Sequence, residues 1–307
     1  MKQIKYFIYF LKNAWFVLLY KLFKKKKNCE RFLVKKNITN SYGDDVLLNY
    51  IKSDKPFMAV RYGAVEISCL NNWEKIRLGL KKDYKEIVKF AMKNNAGFFP
   101  TSDEYLQKYA DLMNEVMKET DILGISGVHM EDYFFKMQCK KAKVIQYFSF
   151  EPIGKKWLSG LNGKKVLIVS PFKEEIEEQI KKKEYLDDLK NIDAKFEVVK
   201  AIQSIGDEEP EFSNWFEALE HMKSEIKEKD FDIALVGAGA YGTPLCGFIK
   251  SLNKQAIQTG GATALLFGII GTRWENRGYV KDKINEHWIK PFDKPKGYEK
   301  VEKGCYW

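Results

Sequence analysis

Residues 232–244 run DIALVGAGAYGTP, and this stretch decides the fold. The apolar run predicts a buried strand, and the glycine turn after it leads into a helix with Pro244 near its start, where the missing N–H costs nothing. Such glycines let the phosphates of a ligand approach the backbone, and the free N–H groups of the helix attract negative charge. Alternatively, the glycines serve only close packing of helix on sheet. Four residues are predicted to contact a phosphate-bearing ligand: Gly237, Gly239, Tyr241 and Gly242.

The same alternation of short apolar runs and helical patterns extends through the rest of the chain. Further strands are predicted at 56–62, 121–126, 144–148, 164–170, 196–201 and 256–259, with helices between them, among them 174–189. Strands separated by helices of about 10–15 residues form βαβ units. We predict an α/β, Rossmann-like fold with a mostly parallel sheet and helices on both faces. It would comprise a half at 37–160, a half at 161–290 and an irregular tail at 291–307.

Two classes of cofactor are disfavoured by the composition. A dinucleotide-binding fold normally has an Asp or Glu about 20 residues beyond its glycine turn to hold the ribose hydroxyl. No Asp or Glu occurs between Thr243 and Trp274, so we expect no NAD. The five cysteines and three histidines lack the spacing of a zinc site. A second glycine turn instead follows the last strand and suits a phosphate or sugar, with candidate residues Gly260, Gly261 and Thr263.

The turn after the first strand, RYGAVE at 61–66, concentrates the candidate chemistry. Ligands of an open parallel sheet bind outside the carboxyl ends of its strands, so this turn and the glycine turns could face one crevice. Arg61 can pair with a diphosphate as a planar fork, and Glu66 can act as a base or as a single metal ligand. Glu66 could instead only interact favourably with the positive end of a helix. Three further loop residues are candidate donor contacts: Gly63, Asn95 and Arg273.

The net charge of +10 resides in the first 36 residues, which hold eleven Lys and Arg against one Glu. The remainder is near neutral, which argues against nucleic acid as a partner. Within this segment a helical stripe is formed by Ile4, Phe7, Leu11, Trp15, Leu18 and Leu22. Segment 1–36 is therefore predicted to be a basic amphipathic segment whose helix lies in the interface of an anionic membrane. The alternatives are a helix packed on the protein's own core and a membrane span.

Three of these motifs together resemble a family. RYGAVE at 61–66 resembles the R-[FLY]-G-D-G-E turn of the GT-D class of bacterial glycosyltransferases. GAGAYGTPL at 237–245 and GGATALLFGIIGTRW at 260–274 resemble the glycine turns of related proteins from capsule and O-antigen gene clusters. The resemblance implies a Rossmann-like fold, a nucleotide-sugar donor, and a D-x-E element that engages a divalent metal and the donor diphosphate. This chain departs from that element, because Ala64 and Val65 replace its Asp and Gly and only Glu66 matches.

The resemblance and the residues together predict a glycosyltransferase of surface-polysaccharide assembly. The donor would be a nucleotide sugar, provisionally of the UDP type, and the acceptor a lipid-linked or other glycan. We expect weak dependence on Mn²⁺ or Mg²⁺, because Ala64 offers no ligand. A location on the cytoplasmic, inner face of the cell membrane would fit the basic segment. The alternatives are a non-catalytic nucleotide- or sugar-binding partner in an assembly complex and a Rossmann oxidoreductase or epimerase.

Overall fold

Seven short apolar strands form one sheet in the computed structural model, which describes residues 2–23, 39–205, 209–301 and 303–307. Residues 24–36 of the predicted basic segment lie outside this description. The strands are β1 (Phe57–Arg61), β2 (Ile122–Ile125), β3 (Lys143–Gln146), β4 (Lys165–Ser170), β5 (Lys195–Lys200), β6 (Ile233–Val236) and β7 (Gln255–Ile257). Each lies within one residue of a predicted strand or inside it, because short apolar runs mark the strands of a parallel sheet, whose inner strands are buried on both faces.

Helices connect the strands. The N-terminal helix α1 (Lys2–Phe23) is followed by α2 (Asn40–Lys52), α3 (Ala64–Arg77), α4 (Glu86–Ala96), α5 (Asp103–Val116) and α6 (Glu131–Gln138). The later helices are α7 (Lys173–Ile180), α8 (Trp215–Lys227), α9 (Gly242–Ser251), α10 (Thr263–Leu266), α11 (Thr272–Glu275) and α12 (Gly278–Lys281). Single 3₁₀ turns include Tyr147–Phe150, Lys156–Leu161, Lys183–Tyr185, Gly239–Tyr241 and Gly260–Ala262.

The strand order is β3-β2-β1-β7-β6-β4-β5, and every neighbouring pair is parallel. β1 joins the two predicted halves of the chain, because it pairs with β2 on one side and with β7 on the other. Ala59 thus stands between Ile122 and Ile257. The prediction of an α/β, Rossmann-like fold is confirmed, and the sheet is more uniformly parallel than expected. Its carboxyl ends therefore all meet at one edge.

Helices cover both faces of the sheet. Met58 and Val60 of β1 face a core that contains α3, α4, α5, α6, α8 and α9. Phe57 and Ala59 face the second core, formed with α2, α7 and α10. Alternate residues of one strand thus enter different cores, as the period of two in an extended chain requires.

Several predicted elements are shorter in the structure, most clearly one helix. Helix 174–189 ends at Ile180, and a 3₁₀ turn then carries Leu186 into the second core. A continued helix would place Leu189 about 140° away from Ile176 around its axis, whereas the break lets both side chains enter the second core. Strand 144–148 ends at Gln146, because its partner β2 ends at the residue opposite, Ile125.

The N-terminal helix α1 lies on α3 and α6. Tyr6 is buried in the first core and donates its hydroxyl to Asn71 Oδ1 at 2.8 Å. Asn13 donates to Asp132 Oδ1 at 2.9 Å and accepts from the N–H of Met130 at 3.0 Å. The protein is therefore contacted by the face of α1 that carries Tyr6 and Asn13, while the predicted apolar stripe is exposed. Within the described residues, no helix has the length and apolarity needed to cross a membrane.

Candidate active site

A cavity of about 290 Å³ opens at the carboxyl edge of the sheet. Residues that follow six of the seven strands line it, and residues of the C-terminal tail close one side. It contains eleven of the twelve predicted site residues: Arg61, Gly63, Glu66, Asn95, Gly237, Gly239, Tyr241, Gly260, Gly261, Thr263 and Arg273. The parallel sheet explains this convergence, because all its strands end on the same side.

Arg61 is the last residue of β1, and both its backbone and its guanidinium group are held by neighbouring residues. Its backbone N–H donates to Gln258 Oε1 at 3.0 Å, which ties it to the end of β7. Its guanidinium carbon lies 5.6 Å from the centre of the Tyr147 ring. Its Nη2 lies 2.6 Å from the place where a Cβ on Gly260 would stand. The planar cation is thus held between an aromatic ring and a bare stretch of backbone.

Glu66 occupies the third position of α3, whose N-cap is Gly63. Its carboxylate folds back over this glycine, and a Cβ there would overlap it. A Glu at this position interacts favourably with the helix N-terminus, as the structural alternative held. The same carboxylate lines the cavity, so the two roles are compatible. Burial raises the pKa of the nearby Cys69 thiol, and the charge of Glu66 raises it further.

In the first glycine turn, one glycine is needed for close packing and another has open space beside it. A Cβ on Gly237 would overlap Thr263 Oγ1 and Gly260 O, so the two glycine turns touch there. Gly239 has φ +50°, a conformation that favours glycine, and a Cβ there would meet only Ala96 O, at 3.4 Å. This leaves Gly239 as the position of the turn with space for a ligand.

Gly242 requires a correction, because it does not line the cavity. It is the first residue of α9, and a Cβ there would lie 2.7 Å from Gln258 Nε2. Its lack of a side chain allows the helix to approach the sheet, as the packing alternative held. Tyr241 contributes only an edge to the cavity, because its ring stacks on Trp215 at 4.5 Å within the core. Burial raises the pKa of Tyr241.

The second glycine turn is held together by hydroxyls. Thr263 Oγ1 lies 2.6 Å from Thr259 Oγ1 and donates to Gly260 O at 2.7 Å. Thr263 is almost fully buried, so its main role in the structure is to hold this turn. A Cβ on Gly261 would lie 2.8 Å from the Tyr306 ring, so this glycine lets the C-terminal tail approach.

The two remaining predicted contacts offer polar atoms to the cavity. The Oδ1 atom of Asn95 is buried and, within the described part of the chain, has no hydrogen-bond partner. It can accept a hydrogen bond from a hydroxyl or amine of a ligand. Arg273 donates to the Tyr306 hydroxyl at 2.8 Å, and its guanidinium carbon lies 5.5 Å from the centre of the same ring.

Sequence reasoning missed several residues of this site. Tyr147 directly follows β3, and residues 201–205 follow β5, so the carboxyl-end rule could have found both. Burial raises the pKa of Tyr147 and the charge of Glu151 raises it further, whereas Arg277, Arg61 and Arg273 lower it. Of these three cations, Arg61 and Arg273 line the cavity. For Tyr306, in the irregular tail, no local signal existed.

The residues present do not fit the divalent metal that the D-x-E element implies. Ala64 offers a methyl group where the family has a carboxylate, and Glu66 is folded over Gly63. No group of three or more His, Cys, Asp or Glu side chains suited to a metal ion occurs among the residues described. The charged side chains that line the cavity are Arg61 and Arg273, which suit a ligand with a diphosphate, and the carboxylates Glu66 and Glu151.

Three comparisons with known proteins bear on the family. A search of curated proteins gives no match. One solved structure, described as "The highly conserved domain of unknown function 1792 has a distinct glycosyltransferase fold", shares 14% identity, with 74% of this chain and 83% of that chain covered and a TM-score of 0.44. The family model of the GT-D fold-like domain matches residues 45–266, which include every predicted candidate except Arg273. The chain belongs to the GT-D-like family, as the turn at 61–66 predicted.

Proposed function

We propose that this protein is a glycosyltransferase that takes its sugar from a nucleotide-sugar donor. The observation that carries the proposal is the cavity in which Arg61, Arg273, Glu66 and the open backbone at Gly239 meet. This combination offers cations for a diphosphate, space for it beside a backbone turn, and a carboxylate for a proton. Membership of the GT-D-like family supports the same reaction class.

The donor diphosphate would be bound by arginine. Arg61 is oriented by Tyr147 and by its backbone bond to Gln258, so its planar fork can pair with two phosphate oxygens without further ordering. Arg273 supplies the second cation, next to Tyr306. When the bond between the sugar and the diphosphate breaks, these cations stabilise the charge that develops on the leaving group.

Glu66 would accept the proton of the acceptor hydroxyl. The acceptor oxygen forms a bond to the anomeric carbon, the bond to the diphosphate breaks, and the hydroxyl proton passes to the carboxylate. Glu66 lies in the first turn of α3 and lines the same cavity as Arg61, which supports this assignment. We propose only weak dependence on Mn²⁺ or Mg²⁺, since the diphosphate charge is met by arginine and Ala64 provides no ligand.

The biological role proposed is surface-polysaccharide assembly, such as capsule, O-antigen or glycolipid. A UDP-type donor and a lipid-linked or glycan acceptor would fit it, at the inner face of the cell membrane. The motifs shared with capsule and O-antigen cluster proteins support this role, as does the basic N-terminal segment.

A second candidate is a non-catalytic nucleotide- or sugar-binding partner of an assembly complex. The replacement of the family's Asp by Ala64 favours it. Both candidate functions would use the same binding site, but only the first would transfer the sugar. An oxidoreductase or epimerase is disfavoured, because no Asp or Glu follows the glycine turn between Thr243 and Trp274 to hold the ribose hydroxyl.

A thermal-shift screen followed by a turnover assay separates these functions. UDP-, GDP- and CMP-sugars and NAD would be added with and without manganese; we expect a nucleotide sugar, and not NAD, to raise the Tm. Arg61→Lys keeps the charge but loses the planar fork, and should weaken donor binding by about tenfold or more. Stabilisation by NAD alone would contradict the proposal. Donor binding without sugar transfer to any glycan or lipid-linked acceptor would select the second candidate.

A further inference from the structure

One face of α1 carries seven large apolar side chains that point away from the protein, each between 45% and 65% exposed. We call this set the outer stripe: Ile4, Phe7, Ile8, Leu11, Trp15, Leu18 and Leu22. At 3.6 residues per turn these positions fall within an arc of about 100°. Single exposed apolar residues are ordinary on a protein surface, whereas a contiguous patch marks an interaction surface.

The face of α1 opposite the outer stripe is the one that contacts the protein: Tyr6 is buried in the first core, and Tyr9 and Phe10 pack against it. An amphipathic helix normally exposes only a polar face, whereas α1 also exposes an apolar one. Here the polar side chains of Gln3 and Asn13, together with Tyr6, make the hydrogen bonds to the protein. A helix held by buried hydrogen bonds cannot rotate to bury the outer stripe without leaving these polar groups unpaired.

The charge of the segment identifies the partner. Residues 1–27 contain eight lysines and no Asp or Glu, and Lys24–Lys27 directly follow the helix in the sequence. By helical position, Lys5 and Lys12 lie along one flank of the outer stripe. A second copy of the chain, paired through the same face, would bring two sets of lysines close together. An anionic lipid surface offers both an apolar layer and complementary charge.

We propose that α1 lies flat on an anionic phospholipid bilayer and inserts the outer stripe into its interface. This inference is independent of sugar transfer. The contacts also set the direction of α1: Gln3 donates to Leu78 O, next to the C-terminal end of α3, whereas Met130, bonded to Asn13, directly precedes α6. Since α3 ends at the amino edge of the sheet and α6 begins at the carboxyl edge, α1 runs toward the edge where the cavity opens. A membrane on the outer stripe would lie beside the cavity.

Sedimentation of the full chain with vesicles tests the proposal. We expect binding to vesicles that contain phosphatidylglycerol, weaker binding to phosphatidylcholine alone, and a loss of binding as salt screens the lysines. Trp15→Ser should weaken binding by about tenfold, because a large apolar side chain leaves the interface. The matched control is Phe292→Ser. Phe292 is 53% exposed against 58% for Trp15, and its backbone bonds to Glu175 of α7, beside the opposite edge strand β5.

Point variants are preferable to deletion of α1, because deletion would uncover the buried contacts of Tyr6 and Asn13. Circular dichroism should show that both Ser variants remain folded, since both side chains are exposed. Equal vesicle binding by wild type and Trp15→Ser would overturn the proposal. So would a dimer without lipid that Trp15→Ser converts to a monomer while vesicle binding is unchanged.

Discussion

At the scale of single residues, Glu66 combines a structural position with a proposed chemical one. We expect Glu66→Gln to lower turnover by about 10²-fold or more, the usual effect of losing a general base. Glu217 is a matched control, since it is also the third residue of its helix and accepts from a backbone N–H at the helix start, that of Ser213, but it lies outside the cavity. Glu217→Gln should leave sugar-nucleotide turnover unchanged. Full activity of Glu66→Gln would remove Glu66 from the mechanism.

Ala64 permits the converse experiment at the same turn. It is the first residue of α3, two before Glu66, and both line the cavity. Ala64→Asp restores the family's carboxylate, and we expect manganese affinity to rise and activity to become more sensitive to EDTA. Manganese titration of wild type and variant measures the effect. Unchanged affinity would show that the two side chains do not project into the same part of the cavity.

Gly239 is the residue at which backbone conformation and ligand space coincide. We expect Gly239→Val to abolish nucleotide binding, because the side chain would occupy the space proposed for the phosphates. Gly163→Val separates this effect from backbone strain: Gly163 has φ +77°, has open space around its α-carbon, and lies before β4 at the opposite edge of the sheet. Both variants should lose some stability. Calorimetric titration with the donor should distinguish them, and equal affinities would mean that the turn serves packing alone.

At the scale of elements, the attachment of α1 depends on buried polar contacts. Asn13→Leu leaves the N–H of Met130 without its partner and removes one of the two hydrogen bonds that Asp132 Oδ1 accepts, the other coming from the N–H of Tyr133. We expect the free energy of unfolding to fall by roughly 1–3 kcal/mol. Gln107→Leu, which removes an exposed amide bonded to Asp111, should change it by less than about 0.5 kcal/mol. Denaturant titration compares the two variants. Equal effects would show that α1 is held by its aromatic contacts instead.

At the scale of the whole molecule, the sheet assembles the site from distant parts of the sequence. Arg61 and Gly260 belong to β1 and to the turn after β7, nearly two hundred residues apart, yet the guanidinium lies against the glycine. This is a consequence of strand order, since β1 and β7 are neighbours. The pairing of β1 with β7 therefore fixes the part of the site that Arg61 and Gly260 form. Arg273 and Tyr306 line the same cavity but belong to the less regular C-terminal part of the chain.

The local pattern of the sequence determined the strands, the parallel sheet and the edge at which Arg61, Glu66 and Gly239 meet. These features follow from short-range rules: apolar runs form buried strands, and parallel strands end together. Tertiary structure alone decided which glycines serve packing, because Gly237 and Gly242 are restricted by residues far along the chain. It also decided which side of α1 meets the protein. Helical periodicity shows that two faces differ but not which neighbour each will find, and here Asn13, an apparent interruption of the apolar run, makes the contact.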